Sequence, residues 1–113
     1  MKREEETYFV KVLGSSPIVR VLDFLIVFRE FDYSLTEIAK ESGVAWSTLN
    51  KVFPKLEKYG LVKQTRQIGR AKLYKLNEEK PMVRQLIELH LLISDNFIKK
   101  EISKQKIEVL SKS

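Results

Sequence analysis

Residues 34–58 constrain the fold more than any other stretch of this sequence. Ser34 followed by Glu37 is the pattern of a capping box, in which each side chain bonds the backbone amide of the other residue at a helix start. Gly43 suits the left-handed conformation that ends many helices. A second helix fits residues 46–58, where apolar side chains recur at helical spacing at Leu49, Val52, Phe53 and Leu56. The stretch therefore predicts two helices joined by a tight turn.

The opposite face of the second helix is polar and basic. At about 100° per residue, Ser47, Asn50 and Lys51 lie away from the apolar stripe, and Thr48 and Lys55 lie on its flank. Lysine favours phosphate, while hydroxyl and amide groups can hydrogen-bond base edges. These five residues are the candidate DNA contacts of the helix. A polar face of this kind is also common on helices that face only solvent.

Residues 61–77 predict a basic β-hairpin. The chain carries a net charge of +6, and this segment contains five basic residues and no acidic one. Gly69 can adopt positive φ in a turn formed by residues 67–70, which places Arg70 at the tip. A cationic strip is the electrostatic signature of a polyanionic partner. An anionic membrane is less suited, because the strip lies on strands rather than on an amphipathic helix. The candidate DNA contacts here are Arg66, Arg70 and Lys72.

Taken together, residues 17–77 resemble the winged helix-turn-helix domain of small prokaryotic transcriptional regulators. The resemblance is to the broad ArsR/MarR-like group, and most closely to its archaeal members. It rests on SLTEIAKESGV, STLNKVFPKLEKYGLV and TRQIGRAKLYKLN. It implies that residues 46–58 are the recognition helix and residues 61–77 the wing. Metal-sensing relatives carry Cys and His ligands, and this chain has no Cys and a single His, so we expect no metal site and no cofactor.

Pro54 departs from the pattern of a regular recognition helix. Proline inside a helix removes one backbone donor and crowds the carbonyl four residues earlier, at Asn50, at a cost of about 3 kcal/mol. Either the helix kinks, or one short helix ends near Val52 and another begins at Pro54. The apolar spacing continues through Tyr59, which favours a continuous, kinked helix.

The segments that flank the helix-turn-helix and the wing are predicted to have a structural role. Residues 1–16 form an N-terminal extension in which residues 7–13 are a short helix or a strand. Ser16-Pro17 has the pattern of a capped helix start, and the helix that follows is apolar on most sides. Such a helix must be covered on most sides as well.

Residues 78–113 predict a long C-terminal helix, with Asn77 as a cap and Pro81 in the first turn. A seam with spacings of three and four residues indicates homodimerisation through this helix. The alternative is that the helix folds back over its own domain. We expect the single histidine to lie in the interface or core rather than to bind a ligand. The predicted interface residues are Leu86, His90, Ile93 and Phe97.

Composition narrows the class of protein further. No apolar run approaches the ~18 residues of a membrane span, and no signal peptide is recognisable, so we expect a cytoplasmic protein without a membrane partner. The absence of Cys fits a reducing compartment. We find no nucleophile motif and no glycine-rich phosphate loop, and expect no enzyme activity. The fold predicted is mainly α with a small antiparallel β-hairpin.

These observations leave two functions open. The favoured one is a homodimeric, sequence-specific regulator that binds double-stranded DNA and represses transcription by occlusion. The other is a winged helix that serves as a protein-interaction module in a larger assembly. The basic wing and the polar face at residues 47–51 favour DNA. The sequence does not indicate an operator, a regulated gene or a small-molecule effector.

Overall fold

A computed structural model describes residues 6–111, so residues 1–5 of the N-terminal extension and residues 112–113 lie outside the described part. The elements follow one another as α1 (Tyr8–Leu13), α2 (Pro17–Val27), β1 (Tyr33–Ser34), α3 (Leu35–Ser42), α4 (Trp46–Lys58), β2 (Val62–Ile68), β3 (Ala71–Leu76) and α5 (Pro81–Ser111). The prediction of a mainly helical fold with an antiparallel hairpin and a long C-terminal helix is confirmed. The structure adds strand β1, which the sequence analysis did not anticipate.

Helix α2 is the centre of the core. Ser16 caps it as predicted, since its hydroxyl accepts a hydrogen bond from the Val19 amide at 3.3 Å. Residues 21–26 are all buried, and the helix contacts α1, α3, α4, α5 and β3. Its apolar character on most sides is therefore explained by neighbours on most sides.

The helix-turn-helix forms through the predicted local interactions. Ser34 and Glu37 make both hydrogen bonds of the capping box, at 3.2 and 3.0 Å. Gly43 ends α3 in the left-handed conformation, with φ of 70°. Arg20 of α2 donates a hydrogen bond to the Gly43 carbonyl at 3.0 Å, which ties the turn to the core. Val44, in the turn between α3 and α4, is buried.

Helix α4 runs without interruption through Pro54. Of the two possibilities that the sequence left open, the continuous helix is the one observed. Leu49, Phe53 and Leu56 are almost fully buried on its inner face. Burial of these three side chains, each worth roughly 1.5–3 kcal/mol, is large enough to offset the cost of a proline in the helix interior.

The sheet has the strand order β1-β3-β2, with both pairings antiparallel. Strands β2 and β3 pair from Val62 with Leu76 to Ile68 with Ala71, which leaves a two-residue turn at residues 69–70. The register shifts between Gln64 and Arg66, so Thr65 is an extra residue in β2. A bulge of this kind turns the side chains beyond it to the other face of the strand.

The first half of α5 packs against its own domain. Val83, Ile87 and His90 are buried, and Leu86 and Ile93 are partly buried against the same core. Phe97 stacks on Tyr8 of α1 with ring centroids 4.9 Å apart. The seam predicted for dimerisation therefore corresponds to the face that covers α1 and α2 within one chain. The expectation is corrected because periodicity identifies an apolar face but not the surface that covers it.

A second correction concerns the start of α5. The helix begins at Pro81, so Asn77 lies too early in the chain to cap it. The Asn77 amide instead donates to the Leu61 carbonyl at 2.9 Å and closes the base of the hairpin. Its side-chain Oδ1 is buried and has no hydrogen-bond partner among the described residues.

The second half of α5 extends away from the rest of the molecule. The described chain measures 62 × 29 × 22 Å. Its radius of gyration is 16.8 Å, whereas a compact chain of this length has a radius of gyration of about 13 Å. Every side chain described from Ile98 onward is exposed. No helix in the described part of the chain is sufficiently long and apolar to cross a membrane.

Candidate nucleic-acid interface

The outer face of α4 presents the side chains predicted for DNA contact. Ser47, Asn50, Lys51 and Lys55 are exposed, while Thr48 is half-buried. Asn50 Nδ2 donates a hydrogen bond to the Trp46 carbonyl at 2.8 Å, within the same helix. The oxygen Oδ1 and the second N–H of this amide are thus left for an outside partner. The face is polar and cationic along its length.

The wing carries basic residues of two kinds. Arg66 forms a two-pronged ion pair with Asp32, with Nε–Oδ2 at 2.9 Å and Nη2–Oδ1 at 3.1 Å. Lys63 lies 3.9 Å from Glu79, at the limit of an ion pair. Within residues 6–111, by contrast, Arg70, Lys72 and Lys75 have no acidic partner. Their charge is therefore available to an external anion.

Asp32 braces the wing from the segment just before β1. Its carboxylate accepts hydrogen bonds from both Arg66 and Thr65, the bulge residue. The Arg66 guanidinium, followed by the Thr65 hydroxyl, lowers the pKa of Asp32 from its ordinary value of 3.8 to about 2. Arg66, predicted as a DNA contact, thus has its fork engaged within the protein, although its side chain remains 60% exposed. Asp32 was not among the predicted site residues, because its partner Arg66 lies 34 positions away in another element.

The turn of the wing has the expected conformation. Gly69 has a φ of 59°, and the Gln67 side-chain amide donates to its carbonyl at 3.0 Å. Arg70 follows directly and is exposed at the tip, as predicted.

A cleft separates the start of α4 from the wing. It has a volume of about 240 Å³ and includes Trp46, Leu35, Tyr74, Arg70 and Lys72 in its lining. Trp46 is 51% exposed, a high value for this side chain. Burial raises the pKa of the Tyr74 phenol further above its ordinary value, so Tyr74 is a neutral part of the wall. Trp46 was not among the predicted site residues, although a sole tryptophan at the first position of α4 was a visible signal.

The described residues contain no group of three or more His, Asp or Glu side chains arranged to hold a metal ion. The contacts of His90 are instead those of a side chain that packs in the protein core. Its Nε2 lies 2.8 Å from Asp23 Oδ1, and its ring stacks on Phe9 with centroids 4.8 Å apart. Both the histidine and the aspartate are buried.

Comparison with solved structures identifies the fold. A double mutant of Lactococcus lactis ZitR in apo form aligns with a TM-score of 0.63 at 21% identity, over 92% of this chain and 80% of the other. MepR, a transcription regulator of the Staphylococcus aureus multidrug efflux pump MepA, aligns with a TM-score of 0.60 at 19% identity, over 80% and 67%. Wild-type ZitR in complex with DNA aligns with a TM-score of 0.55 at 20% identity, over 82% and 67%.

At these identities the likeness establishes the winged-helix fold, and the chain has the architecture that ZitR, a zinc-responsive MarR family member, also has. No protein-family model matches the sequence. No curated protein matches it either.

Proposed function

We propose that this protein is a transcriptional regulator that binds double-stranded DNA in a sequence-specific manner as a homodimer. One observation carries the proposal: the exposed polar face of α4 lies beside a wing whose cations Arg70, Lys72 and Lys75 have no acidic partner among the described residues. A groove-sized helix and unpaired positive charge together match a duplex better than they match a protein surface. The likeness to ZitR and MepR supports the same function.

In this arrangement, α4 enters the major groove and the wing contacts the flanking backbone. Ser47, Thr48 and the Asn50 oxygen read base edges, while Lys51 and Lys55 neutralise phosphates. Arg70 and Lys72 of the wing add further phosphate contacts, and Arg66 adds positive potential while it braces the wing through Asp32. The resemblance to ArsR/MarR-like regulators, closest to archaeal ones, belongs to this proposal.

The homodimer would form through an apolar stripe of α5 that its own domain leaves uncovered. Leu91, Ile98, Ile102 and Val109 are all exposed, and their spacings of seven, four and seven residues place them on one side of the helix. This stripe is distinct from the face that packs on α1. Residues 17–77 would be the DNA-binding domain and residues 78–113 would carry the dimer contact. Bound across a promoter, such a dimer would repress by occluding polymerase.

Salt-dependent binding to a fluorescently labelled duplex tests the proposal. Affinity for random-sequence duplex should fall steeply as salt rises, because counterions return to the phosphates. Lys51→Ala and Arg70→Ala should each weaken binding. Each should also reduce the salt slope, which is the slope of log affinity against log salt concentration, by about one in magnitude. Lys104→Ala, which removes an exposed cation from α5, is the matched control and should leave both quantities unchanged.

The opposite outcome would identify a different partner. If the wild type does not bind duplex, DNA binding is excluded and a protein partner becomes the alternative. If duplex binding occurs but neither α4 nor wing variants alter it, DNA does not bind through the face of α4 and the wing. If binding occurs but selection from a random library yields no preferred sequence, the sequence-specific part of the proposal is wrong. A promoter fusion assay then decides repression, which predicts higher expression when the protein is removed.

A further inference from the structure

We propose that the cleft between the start of α4 and the wing binds one deoxyribose-phosphate unit of DNA, with Trp46 packed against the sugar. The inference rests on the proposed function and goes beyond it by assigning a ligand to the cleft and a role to Trp46. The unit belongs to the strand that separates the major groove from the neighbouring minor groove.

The exposure of Trp46 is the first observation. The residue begins α4, on a helix whose outer face is otherwise polar, and its side chain is 51% exposed. No group among residues 6–111 accepts a hydrogen bond from its indole Nε1. A tryptophan has the largest apolar surface of any side chain, so leaving half of it in water forgoes a substantial stabilisation. A partner that covers the ring would recover it.

The lining of the cleft gives the chemistry of that partner. Trp46, Leu35 and the buried Tyr74 provide apolar surface, and Arg70 and Lys72 provide cations. The hydroxyl residues Ser34 and Thr36 and the small Ala71 complete the lining. Neither cation has an acidic partner in the described part of the chain. A deoxyribose-phosphate unit matches both halves, since the sugar presents carbon atoms and the phosphate carries the negative charge. A free apolar molecule would leave the charges of Arg70 and Lys72 without an anionic partner.

The path of DNA across a winged helix brings this unit to the cleft. When a recognition helix lies in a major groove and a wing reaches the adjacent minor groove, the strand between the two grooves must pass between helix and wing. In this protein the space between them is the cleft of about 240 Å³. The indole would therefore meet backbone rather than a base edge, and its contribution would be independent of base sequence.

Intrinsic fluorescence provides a direct test, because Trp46 is the only tryptophan in the chain. The full chain is titrated with an unlabelled duplex selected from a random library, and the indole emission is followed. Binding of the same duplex is measured separately by polarisation of a labelled copy. We expect the emission to change in parallel with polarisation. A polarisation change with unaltered indole emission overturns the inference and leaves DNA binding intact. No polarisation change defeats the proposed function itself.

Variants then distinguish a sugar contact from other roles. Trp46→Ala should weaken binding roughly tenfold, on the scale of burying half an indole, by the same factor for every duplex and with an unchanged salt slope. Lys72→Ala should instead reduce the slope by about one. Tyr59→Ala removes an equally exposed aromatic side chain at the other end of α4 and is the matched control, with no expected effect.

Modified duplexes locate the contact. Neutral methylphosphonate linkages placed singly along each strand should reveal a phosphate whose neutralisation weakens the wild type but not the Arg70→Ala, Lys72→Ala double variant. Replacing each thymine by uracil, which removes only the C5 methyl group, should not alter the effect of Trp46→Ala. If the Trp46 effect instead depends on one thymine, Trp46 reads a base in the major groove and the sugar assignment is wrong.

Discussion

The buried Asp23–His90 pair is the most consequential interaction at the scale of single residues. Asp23 lies in the central helix α2, and its Oδ1 also accepts a hydrogen bond from Thr7 at 2.7 Å. One carboxylate thus joins the start of α1, the middle of α2 and the middle of α5. A lone acid within the apolar run of α2 was visible in the sequence. Its partners were not, since they lie 16 and 67 positions away.

Removing one member of this pair should destabilise the protein strongly. His90→Leu leaves the Asp23 carboxylate buried with fewer partners, and we expect the free energy of unfolding to fall by about 3 kcal/mol. The double variant Asp23→Leu, His90→Leu should recover most of that loss, because no unpaired charge remains in the core. Urea denaturation measures both. A double variant no more stable than His90→Leu would contradict this account, and Glu88→Leu, at an exposed site on α5, is the control.

At the scale of elements, the wing is the one whose contacts with the rest of the domain could least be predicted from its own local sequence. Turn chemistry predicted the hairpin and its tip, because Gly69 acts within its own neighbourhood. Strand β1 forms only by pairing with β3 much later in the chain, and the Asp32–Arg66 brace joins residues 34 positions apart. Strand pairing between distant segments leaves only a weak trace in a two-residue strand such as Tyr33–Ser34.

The brace should make the wing sensitive to acid. Because the pKa of Asp32 is lowered to about 2 from 3.8, the stabilisation is fully present above about pH 4 and is lost as the pH falls through about 2. Amide signals of β2 should therefore shift in that range in an NMR titration. Asp32→Asn should lack this transition. Its β2 backbone amides should also be less protected against hydrogen exchange already at neutral pH. Glu79→Gln, next to Lys63, is the control. An unchanged titration in Asp32→Asn would exclude the brace.

At the scale of the whole molecule, α5 divides into two parts with different tasks. Its first half completes the core of the domain, and its second half extends beyond it with exposed Ile102, Ile107, Val109 and Leu110. Its side chains from Ile98 to Ser111 are all exposed to solvent among the described residues, so tertiary packing stabilises this half little. In the proposed homodimer, a second copy of the chain would supply that packing and would also set the distance between the two α4 helices.

Ile102→Asp tests this arrangement. A carboxylate in the middle of the exposed stripe should convert a dimer into a monomer, as measured by light scattering coupled to size-exclusion chromatography. The melting temperature of the wild type should rise with protein concentration, and that of the variant should not. Glu101→Gln changes the neighbouring charge outside the stripe and should remain dimeric. Dimers that persist in Ile102→Asp would place the interface elsewhere.

The sequence by itself determined where α2 begins, where α3 and α4 begin and end, where the hairpin turns, and which face of α4 is polar. These features depend on capping, backbone conformation and periodicity, which involve residues within a few positions of one another. Only the tertiary structure decided that the face of α5 containing His90 belongs to the core, that Arg66 is held by Asp32, and that Trp46 stands open beside the wing. Each of these outcomes depends on which distant surface meets a given side chain, and periodicity carries no information about that surface.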